Sequence, residues 1–319
     1  MESAIPAHLA GPRTLPARMR GGWTPPYPSY VARMQPRIRQ VVMAYFGLQP
    51  RGEPPAAALA DLAAAFAAAD GPGHHEVATD GADVVAIAYW DDPARYDRWA
   101  TAHREPWLGA GDGCGRWAEV LRVGVHEHET LFSSLGRPEG VAALAAGMSG
   151  EVAEHGYWGG MRDRIPLSAT DPLEPAGSPV VERDADRVRI RPHGGICLIR
   201  SGQDWTEPVL RAGMDFLATE GRRIGCYANR YLTVVRDGGP VERTFGMSWW
   251  RSLADLERWA ESHPTHVAIF GAAMRYLSTL GPSARLRLYH EVSVVAEGDA
   301  VFEYVGCRPG TGLLGALPG

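Results

Sequence analysis

The chain has 319 residues, of which 45% are hydrophobic and 22% are charged, a composition typical of a globular protein with a substantial core. Its formal net charge of −5 argues against a nucleic-acid or anionic-membrane partner, because both require a basic surface. The N-terminus lacks the pattern of a secretory signal, and the apolar run at 56–69 is too short to span a bilayer. The four cysteines show no Cys-x-x-Cys spacing, so neither a zinc ribbon nor a redox pair is indicated, and a reducing cytoplasm is expected.

Hydrophobic patterning predicts the elements in chain order. Residues 1–36 are rich in proline and arginine and are expected to form an extended arm. The first half then predicts strand, helix, strand, helix and strand, at 39–47, 55–69, 83–90, 92–101 and 117–125. The second half predicts a strand, a helix, a hairpin, two helices and a strand, at 196–201, 206–220, 230–236 with 243–250, 253–261, 265–280 and 286–295.

Both successions are typical of a ferredoxin-like unit. The sequence therefore predicts an α+β fold in which two ferredoxin-like repeats lie side by side as a sandwich or barrel. We expect the arm at 1–36, a first subdomain at 37–150 and a second subdomain at 151–319, which together form one compact unit.

An internal repeat identifies one histidine as special. Aligning the segments around Ala88 and Ser248 places Trp90 on Trp250, Arg98-Trp99 on Arg258-Trp259, and His103 on His263. His266 instead falls on Pro106. Residues shared by both copies are expected to be scaffold, so His266 is the candidate for chemistry.

The surroundings of His266 indicate a role for its imidazole. Pro264 favours a helix start, and Phe270, Ala273, Met274 and Leu277 share the helix face of His266. A neutral imidazole beside an apolar slot suits the axial position of a haem iron. The alternative is a core histidine that is hydrogen-bonded to a carbonyl.

Two further residues are candidates for proton transfer and ligand binding. His290 occupies the core side of a predicted strand, where the alternation of Leu286, Leu288 and Val292 calls for an apolar residue. Such a histidine can exchange a proton in a pocket, or can be a satisfied polar group of the core. Ser201 ends a strand beside Gly202, where it can approach a ligand or simply cap a turn. No Gly-x-Ser-x-Gly elbow surrounds it, which disfavours a serine hydrolase.

Two polar clusters allow more than one interpretation. Arg162 and Arg164 flank Asp163 in a segment rich in glycine and aromatic residues, an arrangement that suits either an anion or an ion-pair network. His126 and His128 would share one face if they lay on a strand. A third ligand type is missing nearby, so the evidence for a zinc site is weak.

Taken together, these segments resemble the aldoxime dehydratases, haem-containing lyases that convert aldoximes to nitriles. The resemblance runs over nearly the whole chain and is carried by an ordered set of short matches at 1–5, 12–15, 41–43, 129–131, 154–159, 161–162, 198–205, 214–217, 257–259, 262–266 and 286–294.

The resemblance implies a role for each matched position. His266 becomes the proximal ligand of a haem b iron that is active in the ferrous state, with the oxime nitrogen bound to the iron. His290 becomes the distal general acid and base, Ser201 the distal hydroxyl, Arg164 a distal cation and Glu129 a carboxylate near the distal pocket. The family also implies a homodimer of the dimeric α+β barrel type.

One departure from the family pattern lies between Trp205 and Glu207, where the family carries a further acidic, helix-forming stretch. Its absence bears on the rim of the pocket and on the substrate range.

Two other functions fit the same architecture. They are a haem peroxidase or chlorite-splitting enzyme, and a haem-binding module without catalysis.

Overall fold

The computed structural model describes residues 1–52, 55–203, 208–283 and 286–316. The α-helices of this described part are α1 Ala56–Phe66, α2 Pro93–Leu108, α3 Gly160–Arg164, α4 Pro208–Thr219, α5 Leu253–Ser262 and α6 Pro264–Leu280. Its strands are β1 Ala32–Arg33, β2 Gln40–Gln49, β3 His74–Thr79, β4 Val84–Trp90, β5 Gly115–Gly124, β6 His128–Phe132, β7 Gly147–Met148, β8 Val180–Asp184, β9 Arg187–Arg191, β10 Ile196–Gln203, β11 Cys226–Arg236, β12 Gly239–Trp250, β13 Leu288–Val295 and β14 Ala300–Val305.

The protein is a mixed α+β structure built on one antiparallel sheet. Twelve of the described strands form this sheet in the order β6-β13-β10-β12-β11-β3-β4-β2-β5-β14-β9-β8, and β1 pairs with β7 apart from it. No helix in the described ranges is long and apolar enough to cross a membrane.

Two units of the sheet share one strand order. The first unit runs β3-β4-β2-β5 and the second runs β11-β12-β10-β13. In each unit the first strand along the chain lies between the third and the fourth. The units join edge to edge where Thr233 of β11 pairs with Thr79 of β3.

The same side-chain contacts recur in both units. The ring centroids of Trp90 and Trp99 lie 5.1 Å apart, and those of Trp250 and Trp259 lie 5.6 Å apart. Each pair joins the end of a strand to the helix that follows it. The repeated tryptophans are therefore packing residues.

A glycine near the end of the first strand of each unit makes room for an aromatic ring. A side chain on Gly47 would collide with the ring of Trp117, and one on Gly202 would collide with the ring of Tyr289. Each aromatic residue is the direct cross-strand partner of its glycine. Both positions therefore require glycine for this close approach.

The strand alternation separates the core into layers. On β2, Val41, Met43 and Tyr45 pack with the helix-free face of the second unit, whereas Val42 and Ala44 pack under the helices of the first unit. The helix-free faces of the two units meet at Glu119, which accepts hydrogen bonds from Arg230 at 2.7 Å and from the indole of Trp249 at 2.8 Å. The sheet is thus folded back on itself, with helices on its outer faces.

Most predicted elements are present, but the sequence did not predict the short strands β1 and β7 or the strands β6, β8, β9 and β14. The first unit contains an additional strand, β3, which the sequence did not predict. The helix α2 continues past the predicted end at Thr101 to Leu108, with Pro106 inside it. His126 and Glu127 lie in the turn before β6 and not on a strand.

Candidate active site

Ser201 and His290 lie side by side on the helix-covered face of the second unit. They are direct partners in the antiparallel β10–β13 ladder. Directly opposite residues of such a ladder point to the same face, with Cβ atoms about 4.5–5.5 Å apart. Gly246 continues this row on β12, and Leu131 continues it on β6. Ser201 and His290 are therefore the polar side chains of this row.

His290 is held from one side by a buried ion pair. Its Nε2 lies 2.9 Å from Oε1 of Glu129 and 2.9 Å from Nη2 of Arg164. Arg164 in turn donates from Nε to Oε2 of Glu129 at 2.7 Å. The side chains of Glu129 and Arg164 are 0% and 3% exposed, whereas that of His290 is 21% exposed.

The ionisation of Glu129 follows from this geometry. Burial alone would raise its pKa, but the charges and hydrogen bonds of Arg164 and His290 outweigh burial and lower the pKa to about 2. Glu129 is therefore a carboxylate at any physiological pH.

One ring nitrogen of His290 cannot serve both neighbours at once. Nε2 either donates its proton to Glu129 or accepts a hydrogen bond from Arg164. Nδ1 makes no hydrogen bond within the described part of the chain. The ion pair therefore fixes the orientation of the ring through Nε2 and leaves Nδ1 available to a ligand.

His266 is placed by a break between two helices. In the first unit the chain continues through His103 as one helix, α2, whereas in the second unit α5 ends at Ser262 and α6 begins at Pro264. The residue before a proline is biased away from helical backbone, and His263 accordingly has ψ of 132°. Because of this break, His266 lies in the first turn of a new helix.

The hydrogen bonding of His266 leaves one nitrogen free. Its Nδ1 lies 2.6 Å from the carbonyl oxygen of Ala260, and a carbonyl only accepts, so the proton resides on Nδ1. Burial lowers the pKa of His266 and the bond to Ala260 opposes this. Nε2 therefore carries a lone pair and makes no hydrogen bond to any described residue.

Aromatic side chains lie beside the ring of His266. The ring centroids of Trp259 and Trp158 lie 4.6 Å and 6.0 Å from that of its imidazole. Trp158, Val267 and Phe270 are 44%, 49% and 43% exposed, which is high for such large apolar residues. A neutral imidazole with its other nitrogen bonded to a carbonyl, beside uncovered apolar surface, is the donor set that a haem iron requires.

The other predicted clusters serve internal contacts. Arg162 donates from Nη2 to Glu257 at 2.7 Å, so it pairs within the protein. Asp163 accepts hydrogen bonds from the backbone N–H of Arg18 and of Met19 at 2.9 and 2.8 Å, and it anchors the N-terminal arm. The described residues contain no group of three or more His, Cys, Asp or Glu side chains able to hold a metal ion.

The structure brings together four of the five predicted site residues. Glu129, Arg164, Ser201 and His290 form one contiguous group. His266 lies in a separate group, because no hydrogen bond or ring contact joins it to the other four among the described residues. The sequence did not single out Ala260 and Glu154, whose backbone carbonyls accept hydrogen bonds from His266 and Arg164. A backbone acceptor leaves no signal in a sequence.

Comparison with known proteins relates the chain as a whole to one family. The family model of haem-containing dehydratases matches residues 44–313. An aliphatic aldoxime dehydratase of Rhodococcus globerulus is 41% identical, with 98% of each chain covered. A phenylacetaldoxime dehydratase of a Bacillus species (strain OxB-1) is 32% identical, with 90% of each chain covered. The crystal structure of an aldoxime dehydratase in complex with butyraldoxime superposes with a TM-score of 0.91 at 39% identity, covering 98% of this chain and 96% of the other.

The alignment with the Rhodococcus relative has 347 positions, more than the 319 residues of this chain. The relative therefore carries residues that this chain lacks. The predicted shortening between Trp205 and Glu207 lies outside the described residues.

Proposed function

The chain belongs to the family of haem-containing dehydratases and acts as an aldoxime dehydratase, and from this premise we propose which of its side chains carry out the reaction. The reaction removes water from an aldoxime, R–CH=N–OH, and leaves a nitrile, R–C≡N. We place it on the helix-covered face of the second unit, above Ser201 and His290. The observation that carries this proposal is the buried Glu129–Arg164 pair, which lies against Nε2 of His290, the direct ladder partner of Ser201.

His266 is the residue that would hold the haem, through Nε2. The proton on Nδ1 and the exposed apolar surface of Trp158, Val267 and Phe270 support this assignment. The sequence has no Cys-x-x-Cys-His motif for covalent attachment, which favours haem b. When bound in the ferrous state, the haem held by His266 would supply an electron-rich iron to polarise the N–O bond of an oxime coordinated through its nitrogen.

His290 supplies the proton that the leaving group requires. Hydroxide is a poor leaving group, so protonated His290 donates from Nδ1 to the hydroxyl oxygen as the N–O bond breaks. The N–O electron pair stays with oxygen, and water departs. Neutral His290 then accepts the proton of the aldoxime carbon, and the C–H electron pair becomes the third C–N bond. The histidine ends as it began, so the cycle needs no external acid or base.

The ion pair of Glu129 and Arg164 supports both states of His290. The carboxylate of Glu129 stabilises the imidazolium, as a carboxylate does for the histidine of many acid–base sites. Arg164 supplies an opposing positive charge and keeps Glu129 ionised and immobile. Together they allow His290 to gain and lose a proton within one turnover.

Ser201 orients the substrate hydroxyl. Its side chain is exposed, and its Oγ makes no hydrogen bond to any described residue. A hydroxyl beside His290 on the same face can hold the N–OH group so that the oxygen faces the acid. Holding the reacting atoms in this way lowers the entropic cost of proton transfer.

Aliphatic aldoximes are the substrates that we propose for this chain. The relative named for aliphatic aldoximes is 41% identical, against 32% for the one named for phenylacetaldoxime. The solved relative with a TM-score of 0.91 was crystallised with butyraldoxime, which is aliphatic.

We further propose that the two units are ferredoxin-like repeats, since each places its first strand between its third and fourth. On the family resemblance we propose a homodimer of the dimeric α+β barrel type. Four free cysteines support a reducing, cytoplasmic environment.

The test is anaerobic incubation of haem-loaded, dithionite-reduced protein with butyraldoxime and with phenylacetaldoxime, with the nitrile quantified and a ferric sample as control. We expect nitrile from the ferrous sample only, and faster turnover of butyraldoxime. Absence of nitrile despite a full Soret band, together with rapid peroxide-driven dye oxidation, would favour a peroxidase and contradict the proposal.

A further inference from the structure

The first residues of the chain bind the segment that carries Arg164. Residues 2–4, here called the N-terminal strap, run beside Val152, and the backbone N–H of Glu2 donates to the carbonyl of Glu151 at 2.9 Å. On its other side the strap is fixed by Arg33, which donates to the carbonyls of Ser3 and Ala4 at 2.6 Å each. Ala4 is buried with Val31 and Val152. The strap is therefore tied down on both sides.

Glu154 joins the strap to the distal group through both of its ends. Its carboxylate accepts hydrogen bonds from the hydroxyl of Ser3 at 2.9 Å and from the backbone N–H of Ala4 at 2.8 Å. Its backbone carbonyl accepts a hydrogen bond from Nη1 of Arg164 at 2.7 Å. A displacement of Glu154 would therefore change the hydrogen bond that holds the guanidinium of Arg164.

Each nitrogen of Arg164 has a partner of its own. Nε donates to Glu129, Nη1 to the carbonyl of Glu154, and Nη2 faces both Glu129 and His290. A guanidinium is planar, so three fixed directions set its plane completely. Weakening the Nη1 contact removes one of these three directions, which lets the plane tilt and shifts Nη2 relative to His290.

The N-terminal arm also lies across a cleft from the ion pair. Ala4, Pro6 and His8 border this cleft on the arm side, and Glu129 and Arg164 border it on the other. Water that enters here would weaken the Glu129–Arg164 interaction, because charges attract less strongly in a medium of higher dielectric constant.

We propose that Glu154, held by the N-terminal strap, is a positioning residue of the dehydration reaction. It orients Arg164 and thereby the ring of His290. This inference rests on the proposed function of Arg164 and His290, and it adds the first residues of the chain to the machinery of the site.

The experiment compares steady-state turnover of butyraldoxime by haem-loaded, reduced full-length proteins. On one side of the contact the variant is Glu154→Ala. On the other it is Ser3→Ala with Ala4→Pro, which removes the hydroxyl and the N–H that Glu154 accepts. Glu154→Gln retains an acceptor for Ala4. Asp70→Ala removes an exposed carboxylate whose ion-pair partner among the described residues is Arg98. The melting temperature and the Soret band are recorded for every protein.

We expect Glu154→Ala to lower kcat on the order of tenfold, because a small misplacement of a catalytic group has effects of this size or larger. KM should change by less than about twofold, since the substrate contacts are intact. The strap variant should have the same effect, and combining it with Glu154→Ala should add little, since both break one contact. Glu154→Gln and Asp70→Ala should turn over as the unaltered protein does.

Arg164→Ala separates failure of this inference from failure of the proposed function. One outcome is that Arg164→Ala loses kcat while Glu154→Ala and the strap variant keep normal kcat. This outcome would overturn the positioning role of Glu154 and the strap, and would leave the role of Arg164 intact. Normal kcat in Arg164→Ala would overturn the role of Arg164 and the strap with it. If Glu154→Ala does not fold, the kcat of the strap variant alone tests the inference. If it does fold, additive losses of kcat in the combined protein would also contradict the inference.

Discussion

The backbone carbonyl of Ala260 accepts a hydrogen bond of 2.6 Å from Nδ1 of His266. Ala260 lies in the last turn of α5, where carbonyls lack a partner within their own helix. Pro264 ends α5 and starts α6, and this corner brings His266 back onto the free carbonyl. The same bond that satisfies the end of α5 thus fixes the proton on Nδ1 and exposes Nε2.

Replacing His266 should abolish haem binding. His266→Ala removes the free Nε2 and leaves the Ala260 carbonyl unpaired, so we expect the Soret band of the reconstituted protein to be lost or strongly altered. The matched control is His263→Ala, since among the described residues the imidazole of His263 hydrogen-bonds to Thr265 and packs against the ring of Phe216. A normal haem spectrum in His266→Ala would refute the ligand assignment.

Glu129 should make the stability of the folded protein depend on pH in the acidic range. Its pKa is about 2 in the folded protein and near 4.5 when unfolded, so the carboxylate stabilises the fold above the unfolded pKa, and this stability is lost as pH falls toward the folded pKa. We expect the melting temperature to fall more steeply between about pH 5 and about pH 2.5 in the unaltered protein than in Glu129→Gln.

At neutral pH the same variant should be less stable by about 3–5 kcal/mol, because Arg164 is left buried without its counter-charge. Denaturant unfolding measures this difference. Equal stability of the two proteins at neutral pH and the same acid dependence would show that the pair contributes nothing to the fold.

Ser201→Ala should slow catalysis without unfolding the protein. Its hydroxyl is exposed and without a partner among the described residues, so we expect normal stability, retained haem and a drop in kcat/KM on the order of tenfold. Ser248→Ala is the matched control, because Ser248 lies on the same face of β12 and donates to Asn229 at 2.7 Å. That variant should lose about 1 kcal/mol of stability and keep its turnover.

Local signals predicted much of this fold. The apolar run of β4, the proline start of α6 and the aspartate cap of α2, where Asp92 accepts from the N–H of Ala94 at 2.9 Å, are all encoded within a few residues. The strand β3 escaped prediction because its sequence, His-His-Glu-Val-Ala-Thr, has too few apolar residues for a period to appear. It becomes a strand by pairing with β4 and β11.

Local signals also predicted part of the site, and long-range contacts account for the part that they missed. His266 and His290 stand out locally, the first against its repeat partner and the second against an alternating strand. The contact of Arg164 with Glu129 spans 35 positions, and that of Glu154 with Ser3 spans 151. No periodicity or spacing reports contacts of this kind, so only the folded chain shows that the N-terminus reaches the distal group.

The most direct test of the account is single-turnover conversion of butyraldoxime by ferrous, haem-loaded His290→Ala, with substrate binding followed spectroscopically in the same sample. We predict normal haem content, normal binding and nitrile formation slowed by a factor of about 10²–10⁴, the contribution expected of one general acid–base group. Nitrile formation at the rate of the unaltered protein would contradict the assignment of His290 and the mechanism built on it.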